Sequence, residues 1–193
     1  PIYLPLATVG VIDFYKQLNK ALNGEARHRK SEVFRSIQSQ ILEYAEHKNI
    51  IPFIIFDEAH LLKEQNIREL QIITNFRMDT IDPAVVILSG QNVLMDKLQK
   101  RVLKSFYQRI TLRYRILPLT KQETKEYILH QFKLCKSENE IITESGYEAV
   151  YNLSRGNMRV IGEVVKKALI YCASQRKEKI EAEDVLTIKS EVL

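Results

Sequence analysis

The 193 residues carry 29 Lys and Arg against 24 Asp and Glu, a net charge of +5, with 45% hydrophobic and 27% charged residues. That balance is ordinary for a globular protein of one large domain, or a medium and a small one, and no run nears the ~18 apolar residues of a membrane helix. Cys135 and Cys172 match no metal-binding spacing and read as the reduced thiols of a cytoplasmic protein.

Ile2 to Val9 is a short apolar segment containing Pro5, which suits a strand towards a sheet edge, since proline donates nothing to a ladder. From Asp13 to Leu22 the apolar positions Phe14, Leu18, Ala21 and Leu22 fall at helical spacing, and Asn23-Gly24 ends the helix. Ser31 is a candidate cap for a second helix with Val33, Phe34, Ile37, Ile41, Leu42 and Ala45 on one face. Ile50 to Phe56 is a continuous apolar run, the pattern of a strand buried on both faces of a parallel sheet. A helix over about 65–77 follows, then a strand over Ala84 to Leu88, a helix over about 92–106, and a strand from Ile110 to Ile116. This alternation predicts a parallel α/β sheet.

After Pro118 the periodicity is only helical. Thr120 and Glu123 form a capping box for one helix. Further helices are expected over about 144–153, from about Asn157 and from about Ala182. The expected organisation is therefore an α/β domain over residues 1–117 and an all-helical domain over 118–193.

The sharpest chemical signal is Phe53-Ile54-Ile55-Phe56-Asp57-Glu58, an apolar strand ending in two acids. Such a strand puts both carboxylates at the C-terminal edge of a sheet, where open α/β sheets bind ligands. In P-loop ATPases the first acid holds Mg²⁺ and the second orients or deprotonates the attacking water. The bland alternative is two solvated acids at a helix start. Asp57-Glu58-Ala59-His60 is also the literal string of one helicase group, but no glycine- and arginine-rich companion motif follows; His60 reads as a first-turn helix residue.

Three more positions agree with a phosphate site. Ser89-Gly90-Gln91 ends the next strand, Arg109 lies between a helix and the last strand, and Arg159 opens the long helix of the helical part. Each alone is a turn or a surface arginine; their order and spacing together are not readily accidental.

On these stretches, with Ile73-Thr74-Asn75-Phe76-Arg77-Met78-Asp79, Arg113-Tyr114 and Leu117-Pro118-Leu119, the chain resembles an AAA+ ATPase. Within that class it is similar to the ExeA-like ATPases of the general secretion pathway and to related transposition ATPases. The resemblance implies ATP and Mg²⁺ as ligands and Asp57-Glu58 as the Walker B pair, with Asp57 at the metal. It implies Gln91 as first sensor with Ser89 as fallback, Arg109 as arginine finger and Arg159 as second sensor. It further implies a homo-oligomer in the bacterial cytoplasm, peripheral to the inner membrane at most, with a partner in a secretion or transposition machine.

The departure is the glycine-rich loop ending in Gly-Lys-Ser/Thr, which none of Gly10, Gly24, Gly90, Gly146, Gly156 and Gly162 opens. The chain, starting at Pro1, reads as a fragment that begins at the family's second strand, and the strand beside Ile51 to Phe56 is expected to be missing. Without backbone donors for the β-phosphate, this polypeptide alone should bind ATP poorly, which a titration with labelled nucleotide checks. Arg27, Arg29 and Lys30, then Lys97, Lys100, Arg101 and Lys104, then Lys166, Lys167, Arg176, Lys177 and Lys179 form three basic groups. They read as solvated faces or as a surface for non-specific DNA. A non-enzymatic interaction module is the second functional reading.

Overall fold

A computed structural model describes residues 2–4, 10–77, 80–137 and 141–189. Pro5 to Val9, the larger part of the first expected strand, and Met78 and Asp79 lie outside the described residues. The chain divides into two compact units, Pro1–Arg113 and Tyr114–Leu193. The contacts thus part four residues before the boundary expected at 117.

The first unit holds a three-stranded parallel sheet in the order β1 (Ile2–Leu4), β2 (Phe53–Phe56), β3 (Val85–Leu88). Phe53 pairs with Val85 and Phe56 with Leu88, while Ile54 pairs with Ile2 on the other side. The strand expected to be missing beside β2 is therefore a misplacement. β2 has a neighbour on each flank, and among the described residues the unpaired edges are those of β1 and β3.

Helices α1 (Val11–Ala21), α2 (Lys30–Leu42) and α3 (Glu64–Ile73) bury Phe14, Leu18, Ile37, Ile41, Ile67 and Leu70 with Ile54 and Phe56 in one core. The rings of Phe14 and Phe56 stack at 5.6 Å. The expectation of a strand buried on both faces fails. Ile54 and Phe56 are buried, but Phe53 is 48% exposed, and its sheet-face neighbours across the register, Val85 and Ile87, are exposed too. A continuous apolar run cannot say whether both faces are covered.

Two local expectations also fail. Arg29, not Ser31, occupies the N-cap of α2, without a side-chain cap. The single helix expected over 92–106 is broken into α4 (Val93–Leu98), one 3₁₀ turn (Arg101–Leu103) and α5 (Lys104–Arg109). The strand expected over Ile110 to Ile116 does not form. Residues 110–120 have no regular structure, and Leu112, Tyr114 and Ile116 are more than three-quarters exposed. Their alternation has the period of a strand, but a strand needs a partner for its N–H and C=O groups, and no described strand pairs with it.

A buried polar knot ties α1, α2 and α3. The Tyr15 hydroxyl donates to Glu69 Oε2 at 2.8 Å, and Lys30 Nζ donates to Glu69 Oε1 at 2.6 Å. Burial first, then the hydrogen bond to the Glu69 carboxylate, push the Tyr15 phenol well above its ordinary range. Glu69→Ala strands that hydroxyl and should cost about 2–3 kcal/mol. Glu69→Gln keeps an acceptor and loses only the half-exposed lysine pair, so it should cost about 1 kcal/mol or less. Urea unfolding of the two variants separates these outcomes.

The second unit is helical: α6 (Lys121–Leu134), α7 (Glu144–Ser154), α8 (Met158–Ser174) and α9 (Ala182–Thr187). The Thr120–Glu123 capping box is present, with both reciprocal bonds. Ile128, Val150, Ile161, Val164, Ala168 and Val185 form its core. Lys177 Nζ and the Glu181 N–H both donate to Asp184, at 2.6 and 2.9 Å. Burial pushes the Asp184 carboxyl up, but these donors outweigh it and hold it below its ordinary value.

Candidate functional site

β2 and β3 are zipped past their strand ends. The Ser89 N–H donates to Phe56 O at 2.9 Å, and the Ala59 N–H donates to Ser89 O at 2.7 Å. These two bonds close the Asp57-Glu58 turn against the Ser89-Gly90-Gln91 turn at the C-terminal edge of the sheet. Four expected residues, Asp57, Glu58, Ser89 and Gln91, are thereby brought to one place.

Asp57 is half-buried, and its Oδ1 accepts from the Glu58 N–H at 2.9 Å. Glu58 stands in the left-handed region, with φ +50°, and its side chain is 54% exposed. A non-glycine residue there costs about 1–3 kcal/mol and persists where its surroundings fix it. The bonds on both sides of Glu58, at Phe56 and Ala59, do so.

The donor set suits Mg²⁺ held through one carboxylate. Asp57 offers a hard oxygen, and no group of three or more His, Cys, Asp or Glu among the described residues can hold a metal ion. A cage made only of protein is thus absent among these residues, and Mg²⁺ commonly takes one or two carboxylates plus waters and substrate phosphates.

The structure adds two residues to this edge. His60 lies in the 3₁₀ turn Ala59–Leu61, with a side chain only 10% exposed. Its Nδ1 is 3.5 Å from Glu58 Oε2 and 3.4 Å from the donating N–H nitrogen of Gln91. Lys97 Nζ donates to the carbonyls of His60 and Leu62, the latter at 2.9 Å. The sequence signal for His60 was the Asp-Glu-Ala-His string itself. Lys97 carried none, since a lysine reaching back to two carbonyls looks the same in sequence as one reaching water.

Arg109 lies elsewhere in the first unit, and Arg159 is in the second. Arg109 ends α5 and lines a cleft with Phe34, Gln38, Arg68, Gln71, Ile72 and Asn75, a set that includes neither Asp57 nor Glu58. Arg159 belongs to the second unit, exposed on the first turn of α8, where its N–H donates to the capping Asn157 Oδ1 at 3.0 Å.

Of the three basic groups, Lys97, Lys100, Arg101 and Lys104 do not lie on one helix face. Lys97 sits on α4 and Lys104 opens α5, so they share no helix. Lys97 is engaged as above, Lys100 pairs with Glu64 at 2.6 Å and Lys177 with Asp184.

A short parallel sheet whose ends present an acid pair beside a polar turn, followed by a helical unit, is the layout of an AAA+ core. Residues 1–98 match the family model of the AAA domain, and the chain belongs to that family. It is 30% identical over 139 residues to General secretion pathway protein A of Aeromonas hydrophila, a match that covers 72% of this chain and 25% of that protein. The chain thus spans a quarter of that relative's length.

Among solved structures, Cdc6p from Pyrobaculum aerophilum superposes with a TM-score of 0.70 at 14% identity, over 100% of this chain and 52% of that one. ORC2 of Aeropyrum pernix, in its ADP form, gives 0.64 at 12% identity, over 98% and 52%. A Thermotoga maritima RuvB variant gives 0.54 at 22%, over 81% and 50%. At these identities the likeness is one of fold. No helix among the described residues is long and apolar enough to cross a membrane.

Proposed function

We propose that this chain carries the metal- and water-handling side of an ATP-hydrolysing AAA+ switch or motor. The observation that carries the reading is the zipped edge itself. Two backbone bonds hold an Asp-Glu pair, its glutamate at φ +50°, beside Ser89 and Gln91 at the C-terminal edge of a parallel sheet.

In this reading Asp57 would hold Mg²⁺, an ion that shares its shell among one or two carboxylates, phosphates and water. Bound Mg²⁺ supplies neutralisation of phosphate charge. The Glu58 carboxylate orients the attacking water and takes its proton. Gln91, with Ser89 beside it, reads the terminal phosphate. Arg109, set apart from the acids of its own chain, serves the site of a neighbouring copy in a homo-oligomer. Arg159 contributes from the helical unit, residues 114–193, acting as a lid.

The likeness to General secretion pathway protein A supports work for a secretion machine in the bacterial cytoplasm, at the inner membrane, over a DNA-transposition machine with similar motifs. The engaged lysines count against a DNA-tracking surface.

Nucleotide binding and turnover by the protein expressed from its complete reading frame, beside Glu58→Gln, test the proposal. Turnover lost with binding kept supports it. Turnover indifferent to Glu58, or no binding at all, leaves a non-enzymatic interaction module.

A further inference from the structure

We infer that His60 is a positioning residue that couples Glu58 to the Ser89–Gln91 turn; this rests on the reading of Glu58 as the group at the water. One nitrogen carries the coupling. Nδ1 of His60 faces a carboxylate oxygen at 3.5 Å and a backbone N–H donor, measured nitrogen to nitrogen, at 3.4 Å.

These two contacts need opposite states of Nδ1. To accept from the Gln91 N–H, Nδ1 must present its lone pair, with the ring proton on Nε2. To hold the Glu58 carboxylate, Nδ1 must carry the proton and donate. The ring therefore engages either the sensor turn or the acid through that atom. When the Gln91 N–H turns to another acceptor, Nδ1 is released to hold Glu58, the ring proton passing from Nε2 to Nδ1 by exchange through solvent. A change at the turn is thereby reported to the carboxylate.

The surroundings keep the ring where both partners reach it. The side chain is nearly enclosed, and Lys97 Nζ holds the carbonyl of its own residue and of Leu62. Gly90 closes the turn onto it: a Cβ there would stand 3.1 Å from His60 N and 3.3 Å from its Nδ1. The turn can approach the ring this closely because position 90 has no side chain.

The test pairs His60→Asn with His60→Gln and His60→Ala. The asparagine carboxamide falls near the Nδ1 position and offers both an acceptor and a donor, whereas glutamine sets its amide further out. In the protein from the complete reading frame, His60→Ala should lower kcat by about 10–100-fold at little-changed KM for ATP. Asn should restore most of the loss and Gln little. Equal rates for Asn and Gln, or a full rate for Ala, would overturn the coupling.

A Glu58→Gln control separates the two readings. If that variant is inactive while His60→Ala is fully active, only the coupling falls; if Glu58→Gln is itself fully active, the reading of the site falls. A second measurement needs no turnover. In the 193-residue chain, long-range ¹H–¹⁵N spectra should show Glu58→Gln moving the His60 ring towards the Nε2–H tautomer, because the carboxylate that favours Nδ1–H is gone. Unchanged His60 nitrogen shifts would overturn the inference.

Discussion

Glu58→Gln should leave ATP binding by the protein from the complete reading frame unchanged while lowering its turnover by about 10²–10⁴-fold, the range for removal of a positioned general base. Glutamine keeps the length and the polar end of the side chain but cannot take a proton. The substitution also leaves the fold alone. The side chain is half-exposed, and its backbone geometry, φ +50°, is held by bonds at Phe56 and Ala59 that glutamine does not touch. Stability should therefore stay within about 0.5 kcal/mol. Lost turnover without lost stability assigns the effect to chemistry at the sheet edge; a parallel fall in both would assign it to the strained turn.

Much of this edge was legible in the sequence, and the reason is physical. An apolar strand that stops at Asp57-Glu58 states both where the core ends and where charge begins. Ser89-Gly90-Gln91 does the same for the next strand, and parallel pairing brings two such ends together without further information. The helical unit was legible because its cues are local: the Thr120–Glu123 box and the Asn157 cap each act within one turn.

What was not legible depends on distant partners. Leu112, Tyr114 and Ile116 alternate like a strand, yet pairing, not alternation, makes one. Phe53 and Ile54 look alike in a sequence, although only Ile54 meets α1 to α3 in the core. The role of His60 depends on a turn 31 residues away, and no spacing rule joins them. Glu58 gave no sign of its left-handed backbone, since the residue is no glycine or asparagine and the strain is imposed by the closing bonds at Phe56 and Ala59.

The same substitution at two glycines should give opposite results. Gly156 follows Arg155, and both stand at positive φ, +76° and +52°, where α7 ends and the chain turns into Asn157 and α8. A Cβ on Gly156 would lie 2.0 Å from Leu119 O and 2.7 Å from Leu119 N, both backbone atoms that no rotamer change can move. The left-handed conformation alone costs alanine about 1–2 kcal/mol. Relieving the clash must also part the Leu119 N–H from Gly156 O, a 3.0 Å bond that ties the entry of α6 to the α7–α8 corner. Gly156→Ala should therefore destabilise the unit 114–193 by about 3–5 kcal/mol, among the largest effects of single substitutions. Gly162, by contrast, lies exposed inside α8 with nothing within 4 Å of the added carbon. Gly162→Ala should stabilise by about 0.5–1 kcal/mol, because alanine loses less backbone freedom in a helix. Hydrogen exchange of the α7 and α8 amides reads both: faster by about 10²-fold or more in the first variant, slower by severalfold in the second, at tenfold per 1.4 kcal/mol. Slowed exchange in both would mean that Leu119 does not press on Gly156, and the corner that presents Arg159 at the start of α8 would have to be held by the Asn157 cap alone.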